Sequence, residues 1–341
     1  QKNDELGFEI ERIVYPTRYT YSPAEGRKQE AYKILERERE KISKEIQKDK
    51  DDKSKKAGET IKQMELADKF YNNLGTILKG STRGMRMLEK DFGFSKEGIQ
   101  KVFEGQNMDD FFPTPDECLK VYNKEFKDAN KMLEGTAGLG SVVHYAERVS
   151  GTTKITANEL NKFFVPVIKK FNPRVEVMNK DFFDIELSPY DLIFLNPPFS
   201  KGGRGGRGFS GKDSKFYYNF LFHTIIQLNR HKEKISKNPV YKLLFISPQL
   251  TDGKGNEKPD TTILLEDMYK KMGHNKINEI LKNANIKEIS KSQYKELIEE
   301  GEIEGREDIG ELLNPIQFQN VGKCSNFGGT GVTAMEYLVI I

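Results

Sequence analysis

The chain is short of cysteine, histidine, net charge and long apolar runs, and each shortage excludes something. Two cysteines, Cys118 and Cys324, in 341 residues cannot build a disulfide framework, and a reducing intracellular compartment is the simplest reading. The four histidines are scattered and no Cys/His cluster stands in the sequence, so no metal is expected. No apolar run approaches ~18 residues, so neither a transmembrane helix nor a membrane partner is expected. The chain opens at Gln1 without a basic-then-apolar leader, and no signal peptide is expected. The absent initiator methionine points to processing or to a fragment. Net charge is only +3, from 55 Lys and Arg against 52 Asp and Glu. That is too little to establish nucleic-acid binding, which must be argued from where the charges lie. A hydrophobic content of 36% against 31% charged is lean for so long a chain and points to a long solvated segment.

That segment is amino-terminal. Residues 27–47 are dense in Glu, Lys and Arg, with Ala31, Leu35, Ile42 and Ile46 on a thin apolar stripe. The pattern predicts a helix touching something along one narrow edge. Lys48–Gly58 reads as a charged linker. Thr60–Leu78 resumes helical periodicity through Ile61, Met64, Leu66, Phe70 and Leu74. Phe92–Phe103 is another short helix, with Ser95 as its cap. A composition shift at Asp109-Asp110 marks the join to a second region. The arm fits a solvated structural role and a DNA- or partner-binding role equally well.

From Cys118 onward, strand-like and helix-like segments alternate, which predicts a parallel sheet covered on both faces. Strands are expected at Thr152–Ala157, Arg174–Met178, Asp191–Leu195, Lys242–Ser247 and Ile286–Ile289. Helices are expected from Ser141, over Phe216–Leu228 and over Thr261–Leu281. Residues 291–326, rich in charge and glycine, read as an insertion interrupting a final hairpin.

Two segments carry the chemistry. Asn196-Pro197-Pro198-Phe199 follows the apolar run Asp191–Leu195 and ends it abruptly. Neither proline can donate a backbone hydrogen bond, and the residue before each is pushed out of the α region. A stiff corner results at the carboxyl end of a strand, where open α/β sheets bind ligands. The Asn196 carboxamide and the corner's carbonyls suit a planar group bearing an NH2, and Phe199 offers a ring to stack on it. Upstream, Glu134-Gly135-Thr136-Ala137-Gly138-Leu139-Gly140 is a glycine turn leading into a helix start at Ser141. Glycines there permit positive φ and close backbone approach to a ligand, and the helix amino terminus offers unpaired N–H groups. Glu159 lies about twenty residues beyond, where a doubly wound fold places the carboxylate that binds ribose hydroxyls. Asp181, after the third strand, is placed to accept from an adenine amino group or to cap a turn. Lys201–Lys215 directly follows the corner, and six of the ten residues 202–211 are glycine. Its Lys201, Arg204, Arg207, Lys212 and Lys215 would neutralise phosphates at the mouth of a site.

With these motifs in order, the chain resembles the S-adenosylmethionine-dependent amino-methyltransferases, most like the DNA adenine-N6 enzymes of the gamma arrangement. Phe111-Phe112-Pro113-Thr114-Pro115 resembles the family's first cofactor motif, Glu134–Gly140 the glycine motif, and Asn196–Phe199 the catalytic one. Phe327–Thr333 and Ala334–Ile341 resemble its final hairpin. The resemblance implies a Rossmann-like, doubly wound, mostly parallel α/β sheet with a terminal antiparallel hairpin over residues 108–341. A helical, charged module over residues 1–107 precedes it. It implies S-adenosylmethionine bound by Phe112, Pro113, Thr114, Glu134, Gly135, Thr136, Gly138, Gly140, Glu159, Asp181 and Asn196. Catalysis falls to Asn196, Pro197, Pro198 and Phe199, and DNA is the implied partner. Gamma enzymes usually carry a recognition domain after the last hairpin. Its absence before Ile341 leaves specificity to the amino-terminal region, an insertion, a partner subunit or residues outside this chain. The same corner also resembles RNA guanine-N2 and protein-glutamine methyltransferases. A non-catalytic nucleic-acid-binding subunit is the alternative of another class.

Overall fold

The computed structural model describes residues 25–78, 81–103, 113–151, 153–198, 217–234, 239–248, 261–300, 303–304, 317–327 and 332–341. Two compact units divide between Lys62 and Gln63.

Helix α1 runs over Glu25–Asn72, so the Lys48–Gly58 stretch is helical and not a linker. The cause is local: the stretch has no proline and is dense in Lys and Asp, whose side chains pair along the helix. Gln47 reaches Asp51, and Lys53 reaches Asp49, each one turn away. Ile34, Ile46 and Ile61 are each more than half exposed, so no core covers the thin stripe there.

In the second unit, the end of α1 is followed by α2 (Leu74–Leu78), α3 (Thr82–Lys90) and α4 (Lys96–Phe103). Ser95 caps α4 as expected, its Oγ accepting from the Gly98 N–H at 3.0 Å. These helices form a core of their own with residues from the sheet region. Phe70 stacks on Phe171 at 4.0 Å and meets Phe92 edge-on at 5.3 Å. Ala67, Leu74, Ile77, Leu88, Leu139 and Val167 fill the space around them. Tyr71 donates to the Leu139 carbonyl, and His144 lies 2.8 Å from Asp68. By contact, the second compact unit runs from Gln63 onward. Phe70 and Leu74 look amphipathic in sequence, and the partner of their apolar face lies far along the chain.

Past α5 (Asp116–Leu119) and α6 (Asn123–Asp128), a seven-stranded sheet begins. Its strands are β1 (Lys131–Glu134), β2 (Lys154–Asn158), β3 (Glu176–Met178), β4 (Leu192–Leu195), β5 (Lys242–Pro248), β6 (Gln317–Phe327) and β7 (Val332–Ile340). The order is β3-β2-β1-β4-β5-β7-β6. The first five strands are parallel, while β7 runs antiparallel to both β5 and β6. This is a Rossmann-like doubly wound sheet ending in an antiparallel hairpin, with its order reversing at β1 and β4. β4 is buried along its whole length, as a strand covered on both faces must be. Helices α7 (Ser141–Ser150), α8 (Val165–Phe171), α9 (Tyr217–Lys234) and α10 (Thr261–Asn283) complete the layers.

Two expectations fail near the carboxyl end. Ile286–Ile289 is not a strand: the Asn278 side chain takes both backbone groups of Ile289 that a ladder would have used. The 291–326 stretch is not a plain insertion either. It holds α11 (Lys291–Glu300) and β6, the outer strand of the hairpin. The cysteines also differ from expectation: Cys118 on α5 and Cys324 on β6 are joined, with Cα atoms 5.2 Å apart.

Phe70→Ala should cost about 3–5 kcal/mol, the usual range for emptying a buried phenylalanine site. Denaturant unfolding of the full chain measures it. A loss below about 1 kcal/mol would mean that the amino-terminal helices do not share the stability of the sheet.

Candidate functional site

A cavity of about 650 Å³ opens at the carboxyl ends of the parallel strands. Pro113, Thr114, Glu134, Gly135, Thr136, Gly138, Glu159, Asp181, Asn196, Pro197 and Pro198 all line it. The fold thus gathers residues from segments separated by long stretches of chain. Gly140 lies outside the lining. It precedes α7 at φ 90°, and a Cβ there would meet the Tyr71 hydroxyl at 2.9 Å. Phe112, Phe199, Lys201, Arg204, Arg207, Lys212 and Lys215, and most of the 327–333 turn, lie outside the described residues.

Gly135 is held on both sides. Its N–H donates to the Phe194 carbonyl at 3.0 Å, and its carbonyl accepts from Asn158 Nδ2 at 3.2 Å. A Cβ would come within 2.5 Å of Leu195 and 2.7 Å of Phe182. Glycine is therefore required here by neighbouring side chains, not only by a ligand.

Glu159 closes onto the glycine loop. Its carboxylate accepts from the Gly138 N–H at 2.6 Å and from the Asn161 N–H at 2.7 Å. Burial pushes its pKa up to about 7, against the pull of those two donors. Glu134 is 1% exposed, and burial, opposed by the Thr136 N–H and aided by the Glu159 charge, holds its carboxyl well above the usual range. Asp181 accepts from the Phe183 N–H at 3.1 Å, so it caps the turn at Phe182–Asp184 while also facing the cavity. At the corner, Asn196 Nδ2 donates to Thr114 Oγ1 at 3.1 Å.

Among the described residues, Glu134 Oε2, Thr136 Oγ1 and Asn161 Nδ2 are buried in this wall without hydrogen-bond partners. Burying such atoms unpaired is costly, so the cavity suits a ligand bearing ammonium, hydroxyl and carboxylate groups.

The sequence missed Asn158, Asn161, Phe163, Phe164, Phe182, Phe183 and Phe220, which also line the cavity. Asn158 had a usable signal, as a polar residue ending an apolar strand. Its side chain donates to the Gly135 and Lys180 carbonyls and accepts from the Lys180 N–H. It thereby ties the strand ends together. The phenylalanines read as ordinary core in sequence.

No protein-family model matches this chain, and no curated protein matches it. Solved structures do. The type I restriction-modification methyltransferase subunit of Streptococcus thermophilus is 14% identical, with 72% of this chain and 44% of that one covered and a TM-score of 0.35. Human N-acetylserotonin methyltransferase, solved with S-adenosylmethionine, is 15% identical over 79% and 57%, TM-score 0.30. TYW2 of M. jannaschii, solved with the same cofactor, is 12% identical over 64% and 73%, TM-score 0.32. The chain spans about half the length of the first structures it matches.

The raised Glu159 pKa gives a sign for stability against pH. Between the ordinary glutamate range and about pH 7, the folded state holds a proton that the unfolded state has lost. Stability from this group is therefore full at low pH and falls as pH rises through about 7. Glu159→Gln should flatten that part of the profile, read as melting temperature from pH 5 to pH 8. Identical slopes in both proteins would place the Glu159 pKa in the ordinary range.

Proposed function

We propose that this chain transfers a methyl group from S-adenosylmethionine to the exocyclic N6 amine of an adenine flipped out of DNA. One observation carries this: the Asn196-Pro197-Pro198 corner shares a cavity with the glycine loop, Glu159 and Asp181 at the carboxyl ends of the strands. A cofactor site and an amine-binding corner side by side suit group transfer.

The partnerless atoms fit the cofactor's polar groups. Glu134 and Thr136 face its amino-acid end, Glu159 the ribose hydroxyls and Asp181 the adenine. When bound, the cofactor supplies an electrophilic methyl on a sulfonium. The protein's work is positioning. Asn196 Oδ1 is assigned to accept from the target amine, and the Pro197 carbonyl takes the second hydrogen. That arrangement draws the amine lone pair out of ring conjugation and aims it at the methyl. No strong base is required, because the methylated amine becomes acidic and loses its proton afterwards. Flipping the base costs a few kcal/mol, and stacking on Phe199 would offset about 1–3 kcal/mol. Lys201, Arg204, Arg207, Lys212 and Lys215 are assigned to the DNA phosphates.

Glu159→Ala should weaken S-adenosylmethionine binding by about 1.5–3 kcal/mol, and calorimetry at pH 8 measures it. Wild-type affinity in that variant would remove Glu159 from the site. Asn196→Ala should keep cofactor affinity near wild type and abolish most methyl transfer. Activity within a few-fold of wild type would refute the hydrogen-bonding role.

Substrate class is tested by offering duplex DNA, single-stranded DNA, RNA and a glutamine-bearing protein, then digesting and identifying the methylated group. N6-methyladenine from DNA is expected. N2-methylguanine from RNA, or a methylated glutamine, would overturn the substrate and keep the chemistry. Cofactor binding without transfer to any of them would favour a non-catalytic subunit. Neutralising the five basic residues of Lys201–Lys215 should flatten the salt dependence of DNA binding, by roughly 0.7–0.9 in slope for each phosphate no longer neutralised. An unaltered slope would move the DNA-binding surface elsewhere.

A further inference from the structure

A second cluster lies outside the cavity wall. On the hairpin, Gly322 pairs with Glu336 and Cys324 with Ala334. Residues two apart on a strand share a face, so Cys324 and Glu336 are diagonal neighbours on one side of the sheet. Cys118, on α5, meets them there. The two sulfurs and a Glu336 carboxylate oxygen lie within 4.8 Å of one another, and all three residues are buried.

The surroundings are shaped around the carboxylate. A Cβ at Gly322 would overlap Glu336 Oε2, and the strand pairing is irregular between Asn320 and Gly322. Glu336 is 3% exposed, and among the described residues its Oε1 has no hydrogen-bond partner. With the sulfurs joined, no described group answers that oxygen. A buried carboxylate left in this way is destabilising unless it is neutralised, paired or bound to a metal.

We propose that Cys118, Cys324 and Glu336 form a zinc-binding site once the two sulfurs are reduced. Two thiolates and one carboxylate are a ligand set that Zn²⁺ accepts, at about 2.3 Å to sulfur and about 2.0–2.2 Å to oxygen, with water as a fourth ligand. Loading follows reduction: a dithiol delivers two electrons and two protons to the S–S bond and becomes a disulfide, or a phosphine delivers the electrons and becomes its oxide while water supplies the oxygen and both protons. Both thiols then release their protons as the cation binds. The loaded site would also anchor α5, which begins two residues after the cavity-lining Thr114.

Cobalt is the probe. The full chain, reduced with a phosphine and freed of metal, should bind one equivalent of Co²⁺ with thiolate charge-transfer and tetrahedral d–d absorption, and one equivalent of Zn²⁺ should abolish both. The same chain with its disulfide intact should show neither band. Glu336→Gln keeps the volume and both thiols, and should weaken Co²⁺ binding by at least about tenfold. Reduced, folded protein without thiolate–cobalt absorption would overturn the proposal. So would equal affinity in Glu336→Gln, or metal binding that persists in Cys118→Ser.

Discussion

The cavity depends on the backbone of Gly135, which is held by β4 through its N–H and by the side chain ending β2 through its carbonyl. With no room for a Cβ between Leu195 and Phe182, the chain leaving β1 passes directly over the end of β4. Glu134 and Thr136 then fall on one side of the opening and the Asn196-Pro197-Pro198 corner on the other. A larger residue would push the β1 end away from β4 and separate the two halves of the site. The same pinning lets Gly138 meet Glu159 at 2.6 Å, because the loop has no freedom left along the strand direction.

Where local chemistry decides the outcome, the sequence is enough. The run before Asn196 is apolar from Leu192 to Leu195, and two consecutive prolines can only end it, so a buried strand with a corner at its carboxyl end follows. The glycine loop, helix α7 and the Glu159 spacing are also local in this sense. Where the outcome depends on distant partners, the sequence is silent. Ile286–Ile289 has strand-like residues, but Asn278 takes the hydrogen bonds a strand would need. Gln317–Phe327 is polar enough to pass for a loop, yet β7 beside it supplies a ladder. Lys48–Gly58 departs from expectation for the opposite reason. It lacks apolar residues, and side-chain pairs along the helix suffice where no core covers it.

The site itself is legible as a set of motifs but not as a geometry. Asn196 and Thr114 are 82 positions apart, and nothing in either segment forecasts their hydrogen bond. The burial of Glu134 is likewise invisible in a sequence where an acid beside a glycine turn looks solvated. Asn158 is the clearest omission, because its three side-chain hydrogen bonds keep together strand ends that the motifs alone leave independent.

Glu134, Glu159 and Glu336 are three acids whose pKa values burial raises, and each sits where a polar or cationic partner would relieve it. In the cavity the effect compounds, because the Glu159 charge raises Glu134 further. A carboxylate kept from water destabilises the empty protein, and a ligand that pairs with it removes that cost as it binds. Affinity and stability are then linked: whatever satisfies these oxygens binds the folded chain and not the unfolded one, and raises its stability by mass action. The same holds at the hairpin, where Gly322 gives up a side chain to make room for the Glu336 carboxylate. Room for that acid comes from a missing side chain, and a bound cation there would answer the Glu336 carboxylate as a cofactor would answer those in the cavity.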